Sequence, residues 1–350
     1  MSNELLLRRR ELLLKRQEEM NIRAVCFEAD GEQTVSILKE GSAPAITMQY
    51  SYNGVTWESW DLTALPFGGS TKVYVRGVGN QTLGKDVNNY NKITFGTDSY
   101  VYVSGITEAL LDGENEVLTI ENSYCFYKLF GFQSKLRSVK NLRFEAISIG
   151  ASACYSMFES CSNLLYAPKV LSANNFRGVN VYTRMFQNCT SMITAPELPA
   201  TTLSSNCYDS MFRGCTSLVN APELPATTLT PNCYQYMFYG CTSLVNVPKL
   251  SATTLSSKCC RNMFRNCSSL VNAPELPATT LSAQCYQNMF YGCTSLKTIR
   301  CRAKVTASSA TLYWLSNASS SGTFYGHSKY GWSSGVSGIP SGWEFVELTD

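Results

Sequence analysis

The residues with the greatest chemical reach in this chain are its fifteen cysteines and its single histidine, His327. Cysteines in CxxC pairs would hold zinc, a cysteine beside a histidine would make a nucleophile, and cysteines in an oxidising compartment would form disulfides. The spacing supports none of these. No CxxC pair occurs, His327 lies in a Gly/Ser-rich tail, and there is no Walker loop, no GxGxxG after a strand and no HExxH. Most thiols fall instead in two periodic columns, Cys207, Cys233, Cys259, Cys285 and Cys161, Cys189, Cys215, Cys241, Cys267, Cys293. Cysteine is a small, readily buried hydrophobe, so these columns are expected to be packed and reduced. Rung-to-rung disulfides are sterically conceivable, but a contiguous ladder has no pairing rule. The column Lys169, Glu197, Glu223, Lys249, Glu275 could in principle stack carboxylates around calcium. Its interspersed lysines read better as relief of like-charge repulsion on an exposed edge. The expectation is a non-enzymatic protein without catalytic residues, metal or cofactor.

What remains for chemistry is recognition. Between nearly identical repeats, the position after a Met-Phe pair varies as Gln187, Arg213, Tyr239, Arg265, Tyr291, beside Asp209, Gln235-Tyr236, Arg261-Asn262 and Gln287-Asn288. Arg and Tyr anchor protein interfaces and sugar-stacking surfaces. Arg213, Tyr236, Tyr239, Arg265 and Tyr291 are therefore the candidate binding residues, with an ordinary tolerant surface as the alternative reading.

These residues are positioned by a repeat. Cys-Tyr-x-x-Met-Phe-x-Gly-Cys-Thr-Ser-Leu followed by Pro-Glu-Leu-Pro-Ala-Thr-Thr-Leu runs from Cys207 to Leu229 and returns from Cys233, Cys259 and Cys285. A unit this short cannot bury its own apolar face, so copies must stack as a solenoid. Phe130, Phe158, Phe186, Phe212, Phe238, Phe264 and Phe290 mark seven coils, the first a degenerate transition coil in which Gln133 stands at the second cysteine position. Cys207, Met211, Phe212 and Cys215 follow the i, i+4, i+8 pattern of one helical face, and Leu218, Ala221 and Leu224 suit a brief strand. Asn188, Gly214, Gly240, Asn266 and Gly292 stand where a left-handed helix cap would. The expected coil is a short strand plus one or two helical turns, an α/β solenoid.

The segment Met211-Phe212-Arg213-Gly214-Cys215-Thr216-Ser217-Leu218 with Leu224-Pro225, repeated in later coils, resembles the BspA-like class of leucine-rich repeats found in Bacteroidales and their phages. The resemblance covers roughly residues 120 to 300. The tail phrases Trp314-Leu315-Ser316, Gly322-Thr323-Phe324-Tyr325 and Gly338-Ile339-Pro340-Ser341-Gly342-Trp343 resemble the segment that closes such arrays. Tyr50-Ser51-Tyr52-Asn53-Gly54-Val55-Thr56-Trp57 resembles the β-module that often precedes them. The likeness implies a leucine-rich-repeat fold and a virion fibre or decoration protein of a tailed, crAss-like phage infecting Bacteroidales.

Four segments follow from the patterning. Residues 1–20 echo at seven residues, Leu5-Leu6-Leu7 with three arginines and then Leu12-Leu13-Leu14, predicting an amphipathic helix that anchors the chain in another virion subunit. Packing on the chain's own β-module or lying on a membrane are the alternatives. Residues 21–117 alternate as strands, with Asn53-Gly54 as a hairpin turn, predicting an all-β immunoglobulin-like sandwich. Residues 118–300 are the repeats and 301–350 a C-terminal cap. The arginines interrupting the leucines exclude a secretory signal core, and no stretch reaches the length of a membrane span. A formal charge of +3 without a basic, aromatic-interleaved patch disfavours nucleic acid. The function expected is a phage structural protein, on the head or tail, made in the host cytoplasm and displayed on the virion surface for adhesion to a host protein or glycan. Its other partners are capsid or tail subunits, with a homo-oligomer conceivable. An exported bacterial adhesin and a cytoplasmic interaction scaffold are the alternatives.

Overall fold

The computed structural model describes residues 22–304, 309–327, 332 and 335–348. The leucine triplets Leu5 to Leu7 and Leu12 to Leu14, with the anchoring helix expected there, lie outside these residues. The described chain opens with short alternating strands, β1 (Val25–Ala29), β2 (Gln33–Glu40), β3 (Met48–Ser51), β4 (Glu58–Trp60), β5 (Leu65–Phe67), β6 (Val73–Gly77), β7 (Gly84–Asp86), β8 (Asn89–Phe95) and β9 (Val101–Ile106). β2 shows why they form a sandwich: Gln33, Val35 and Ile37 are buried and the residues between them are not, the period of a strand with one face on a core. One sheet has the order β5-β2-β8-β7. The other runs β9-β1-β6-β3-β4 and continues past β9 into β11 (Leu136–Arg143), the short β10 (Thr119–Ile120) intervening in sequence. Phe27 of β1 contacts Phe67 at 6.2 Å and Phe95 at 6.0 Å across the two layers.

The β9–β11 pair is parallel, unlike the antiparallel pairs around it, and it is where the sandwich becomes the repeat stack. On the far side of β11, Ser138 bridges Tyr166 in parallel, and Tyr166 bridges Thr194. The second sheet joins the same stack, because Leu83 and Ile93 donate their N–H groups to the carbonyls of Cys125 and Leu129 in the first coil. Both layers thus supply the partners that the first coil would otherwise lack, as a terminal repeat requires.

The repeats do not alternate strand with helix. Among the described residues there is no α-helix, only one 3-10 turn at Thr107–Leu110. The expected α/β solenoid is overturned: the described chain is all-β, and the segments carrying the i, i+4, i+8 pattern are chains of overlapping turns. In the fourth coil, Cys207, Asp209, Met211, Arg213 and Cys215 each donate a backbone N–H three residues back, to Ser204, Asn206, Tyr208, Ser210 and Phe212. The intervening Tyr208, Ser210, Phe212 and Gly214 donate instead to Cys233, Gln235, Met237 and Tyr239 of the next coil. Every fourth residue has positive φ: Asn206 at 57°, Ser210 at 56° and Gly214 at 74°, with the same triplet in each neighbouring coil. The repeat therefore advances four residues per turn unit without drift, whereas an α-helix would rotate successive i+4 positions by about 40°. Gly214, Gly240 and Gly292 are left-handed as expected, but as the third such residue of a turn ladder rather than the stop of a helix.

The inward side chains form columns. The phenylalanine rings from Phe130 to Phe290 stack within 10° of parallel at 5.3–5.9 Å. Tyr182, Tyr208 and Tyr234 form a second stack. Beyond the turn ladder, parallel bridges Asn220–Asn246, Leu224–Leu250 and Thr228–Thr254 tie coil to coil. Short parallel pairs do the same at the start of the array, joining β10 to β12 (Ser148–Ile149) and β12 to β13 (Asn175–Phe176). The tail closes the stack with more of the same geometry: β14 (Thr298–Arg300), β15 (Gly322–Gly326) and β16 (Trp343–Glu347) pair in parallel. Trp314 takes the next place after Phe290, its backbone carbonyl accepting from Phe290, and Trp332 stacks on it at 5.2 Å. A single apolar core runs from Val25 to Trp343.

At the seam between sandwich and coils, Glu108 is wholly buried. Its Oε1 accepts from the Ala146 backbone N–H at 3.0 Å and its Oε2 has no partner. Burial pushes its pKa up to about 7 from an ordinary 4.5, with the nearby Glu145 carboxylate adding to the rise against the backbone N–H donors. A carboxyl whose folded pKa is raised binds more protons in the folded state, so its stabilising contribution is present below about 4.5 and is lost as pH rises to about 7. Relative to Glu108→Gln, the native protein should lose roughly 3 kcal/mol of unfolding free energy over that window. Denaturant unfolding at a series of pH values checks this; parallel curves for the two proteins would refute it.

The turn ladder makes a second expectation with a sign. Gln284 has φ of 56°, a conformation costing a residue with a Cβ about 1 kcal/mol. Gln284→Gly should stabilise the protein by up to about that amount, while Gln284→Val should destabilise it. In a helix the glycine would cost about 1 kcal/mol instead, so chemical denaturation of the two variants distinguishes the geometries.

Candidate functional site

The five residues singled out by their variation lie on the outer side of the turn ladder. Each is next to a buried residue whose position the ladder fixes: Arg213, Tyr239, Arg265 and Tyr291 follow the stacked Phe212, Phe238, Phe264 and Phe290. All are half-buried. Parallel stacking brings Arg213, Tyr239, Arg265 and Tyr291 together in one column, which runs Arg, Tyr, Arg, Tyr. The Arg213 guanidinium lies over Tyr239 at 5.0 Å, and Arg265 lies over Tyr239 at 5.8 Å and over Tyr291 at 4.2 Å. Tyr236, from the neighbouring column, is also covered by Arg213, at 5.7 Å. These are cation–π contacts, each worth on the order of 0.5–1 kcal/mol at a surface.

The arrangement changes what the tyrosines can do. Tyr239 has an arginine on the coil before it and another on the coil after it, so its ring faces are occupied and cannot also stack on a sugar. What the column has to offer is the remaining guanidinium N–H donors and the tyrosine hydroxyls, since Arg265 already donates Nη1 to Asn262 at 3.4 Å and its Nε is shielded. Tyr291 uses its hydroxyl to accept from Asn317 at 2.7 Å. The adjoining column runs Asp209, Gln235, Arg261, Gln287, with Gln235 donating to Asp209 at 3.3 Å. Burial raises the Asp209 carboxyl pKa, opposed by its hydrogen bonds from Ser210 and Gln235.

Two features of this face were not legible from variation alone. Asn262 is 1% exposed and, like Asn288 and Tyr236, sits at a positive-φ position, so its identity answers a backbone demand rather than a ligand. Arg184, which lies over Tyr155 at 5.8 Å, extends the arginine–tyrosine pattern one coil earlier. Its signal in the sequence was its alignment with Ser210 and Tyr236.

The second-column cysteines are structural donors. All fifteen are free and buried. In six successive coils the second-column thiol donates to the phenylalanine carbonyl of the previous coil, as Cys215 does to Phe186 and Cys241 to Phe212, both at 3.1 Å. That carbonyl already accepts the backbone N–H of its own coil, so the thiol adds a second tie between coils in a space too small for a larger polar group. Burial pushes the Cys161, Cys241 and Cys293 pKa values up to about 12. The thiolate needed for disulfide exchange or nucleophilic attack is therefore suppressed in this column; in the first column the neighbouring Cys260 thiol lowers the pKa of Cys259.

The column Lys169, Glu197, Glu223, Lys249, Glu275 lies along an exposed edge, where Glu275 accepts from Arg302 at 2.7 Å. Among the described residues no group of three His, Cys, Asp or Glu is placed to hold a metal ion, and no helix is long and apolar enough to cross a membrane. Among the described residues the surface carries several grooves. One, of ≈ 660 Å³, lies at the sandwich edge by Gln33, Tyr52 and Phe67. A second, of ≈ 780 Å³, lies at the seam by Glu28, Glu116, Lys140, Glu145 and Lys169. In the second, Glu145 is paired with Arg23 and Glu28 with Lys72. His327 follows β15, half-buried and far in sequence from the turn-ladder columns.

Comparison with protein-family models, with curated proteins and with solved structures finds no match to this chain. The likeness to BspA-like repeats thus rests on the repeated phrase itself.

The thiol geometry yields an expected outcome. In the native protein the ladder cysteines should resist alkylation and react only as the array unfolds, and mass mapping under non-reducing conditions should find them reduced. Systematic linkage among Cys215, Cys241, Cys267 and Cys293 would contradict the donor role.

Proposed function

We propose that this chain is a non-enzymatic recognition protein of a phage virion, in which the sandwich seats a stack of coils and the outer face of the turn ladder contacts the host surface. The observation that carries the reading is the convergence of Arg213, Tyr236, Tyr239, Arg265 and Tyr291 on one face of an otherwise uniform stack. Identical coils need only identical core residues; a run of large, distinct, half-buried side chains at one outward column is what a recognition surface adds. The phrase shared with BspA-like repeats supports the phage setting, and the leucine triplets Leu5 to Leu7 and Leu12 to Leu14 supply apolar surface for attachment to another virion subunit.

The two halves of this proposal separate experimentally. Deleting residues 1–20 should leave the coils folded by circular dichroism but remove the chain from purified particles, as read by immunodetection. Replacing Arg213 and Arg265 by Glu should leave incorporation unchanged and reduce adsorption of particles to host cells by about tenfold. Detection of the protein in uninfected host membranes rather than in particles would overturn the virion assignment, and unaltered adsorption would overturn the recognition face.

A further inference from the structure

The arginines of this chain fall into two groups. Arg23, Arg76, Arg143, Arg177 and Arg302 each form an ion pair with a glutamate. On the turn ladder, Arg184, Arg213 and Arg265 lie over tyrosine rings instead, and together with Arg261 they have no ion pair among the described residues. Two carboxylates share that face with the four arginines, and Arg184 and Arg213 lie near enough to Asp209 to favour its charged form. Glu159 accepts from Gln187 at 3.2 Å, and Asp209 accepts from Ser210 at 2.6 Å and Gln235 at 3.3 Å. The face is left with a surplus of fixed positive charge. A guanidinium held over a ring is fixed in place, and Arg265 is held further by donating Nη1 to Asn262 at 3.4 Å; the N–H donors that remain are preorganised for a carboxylate or sulfate. Shielded polar atoms without partners gather here as well: Gln187 Oε1, Gln235 Oε1, Arg261 Nε, Arg265 Nε and Gln287 Oε1.

Resting on the recognition reading above, the geometry points to a linear acidic polysaccharide as the ligand of this face, lying along the stack with its charges on Arg213 and Arg265. The register supports that choice. Arg213 and Arg265 occupy alternate coils, Tyr239 standing between them, so they recur at about 10 Å, two inter-strand spacings of about 4.8 Å. One pyranose advances a glycan chain by about the height of one coil, so a polymer charged on every second sugar places successive carboxylates opposite successive arginines. Duplex nucleic acid carries a charge about every 1.7 Å, a far denser array than the column can match. The occupied tyrosine faces favour recognition through charge and hydrogen bonds over ring stacking on a neutral sugar.

The test uses the full chain and defined polymers: hyaluronan, with one carboxylate per disaccharide; neutral dextran; and a single-stranded oligonucleotide. Affinity is read by biolayer interferometry at low and raised salt. Hyaluronan should bind, weaken with salt, and lose about tenfold in affinity on Arg213→Gln with Arg265→Gln. Arg213→Lys with Arg265→Lys should fall between the two, and Lys249→Gln, in the separate exposed column of Glu223 and Glu275, should match the parent. Circular dichroism establishes that each variant is folded. An oligonucleotide bound as tightly as hyaluronan, or a Gln double variant that binds hyaluronan as the parent does, would overturn the assignment. Failure of hyaluronan to bind, with cell adsorption still lost in the double variant, would overturn the acidic-glycan class and leave the recognition face standing. Normal adsorption by that variant would overturn both.

Discussion

The constraint on which the rest of this structure depends is the alternation of main-chain hydrogen bonds along the turn ladder. One N–H in two closes a turn three residues back and the other reaches the next coil, as Met211 does to Tyr208 and Phe212 to Met237. Each coil is stiffened by its own turns and held to its neighbours by the remaining donors, so no interior backbone group of the ladder is left wanting a partner. Closing such turns in sequence requires a left-handed residue every fourth position. That requirement favours Asn, Ser and Gly at many of these positions and forces the buried side chains into pairs four residues apart. The phenylalanine stack, the thiol donors and the outward arginine–tyrosine column all inherit their spacing from it.

The same constraint explains the ends. A stack of this kind terminates in carbonyls at one end and N–H groups at the other, and both ends need cover. At the start, the two sandwich layers provide it separately, one through the parallel β9–β11 pair and the other through the donors of Leu83 and Ile93. At the finish the tail strands β14, β15 and β16 extend the parallel pairing, and indole donors tie the tail to itself: Trp314 Nε1 donates to Gly338 at 2.8 Å and Trp343 Nε1 to Ser319 at 2.9 Å. Sandwich, coils and tail share one core because the caps are continuations of the array.

Much of this was legible in the sequence, and the failure is instructive. The coil period, the inward Phe and Cys columns and the strand character of β2 and β6 follow from spacing alone, because identical residues at a fixed interval must stack and alternating apolar residues must face a core. The helix reading failed because a four-residue period and a 3.6-residue period are indistinguishable over the two steps between Cys207 and Cys215. The discriminating signal was present in Asn180, Asn206, Asn232 and Asn188, Asn266, residues tolerant of positive φ recurring before and after the buried pairs. Only Asn188, Asn266 and the glycines at the same place were read for backbone conformation, and then as a helix end. Glu108 left no trace at all. A lone glutamate in Thr-Glu-Ala-Leu looks like surface until the seam closes over it.

The candidate site shows where legibility stops. Variation among near-identical coils located Arg213, Tyr239, Arg265 and Tyr291, since a position free of core duty is the one that can differ. Their chemistry was set by a neighbour 26 residues away, a relation that no local window contains. Once stacked, each tyrosine becomes the platform for an arginine rather than for a ligand, and each arginine gains a fixed orientation at the cost of little of its charge. A single arginine on a flexible surface would lose side-chain entropy on meeting an anion. Here the tyrosines of adjacent coils have already imposed that order, so the regular stack that gives the fold its stability also preorganises the face with which it can bind.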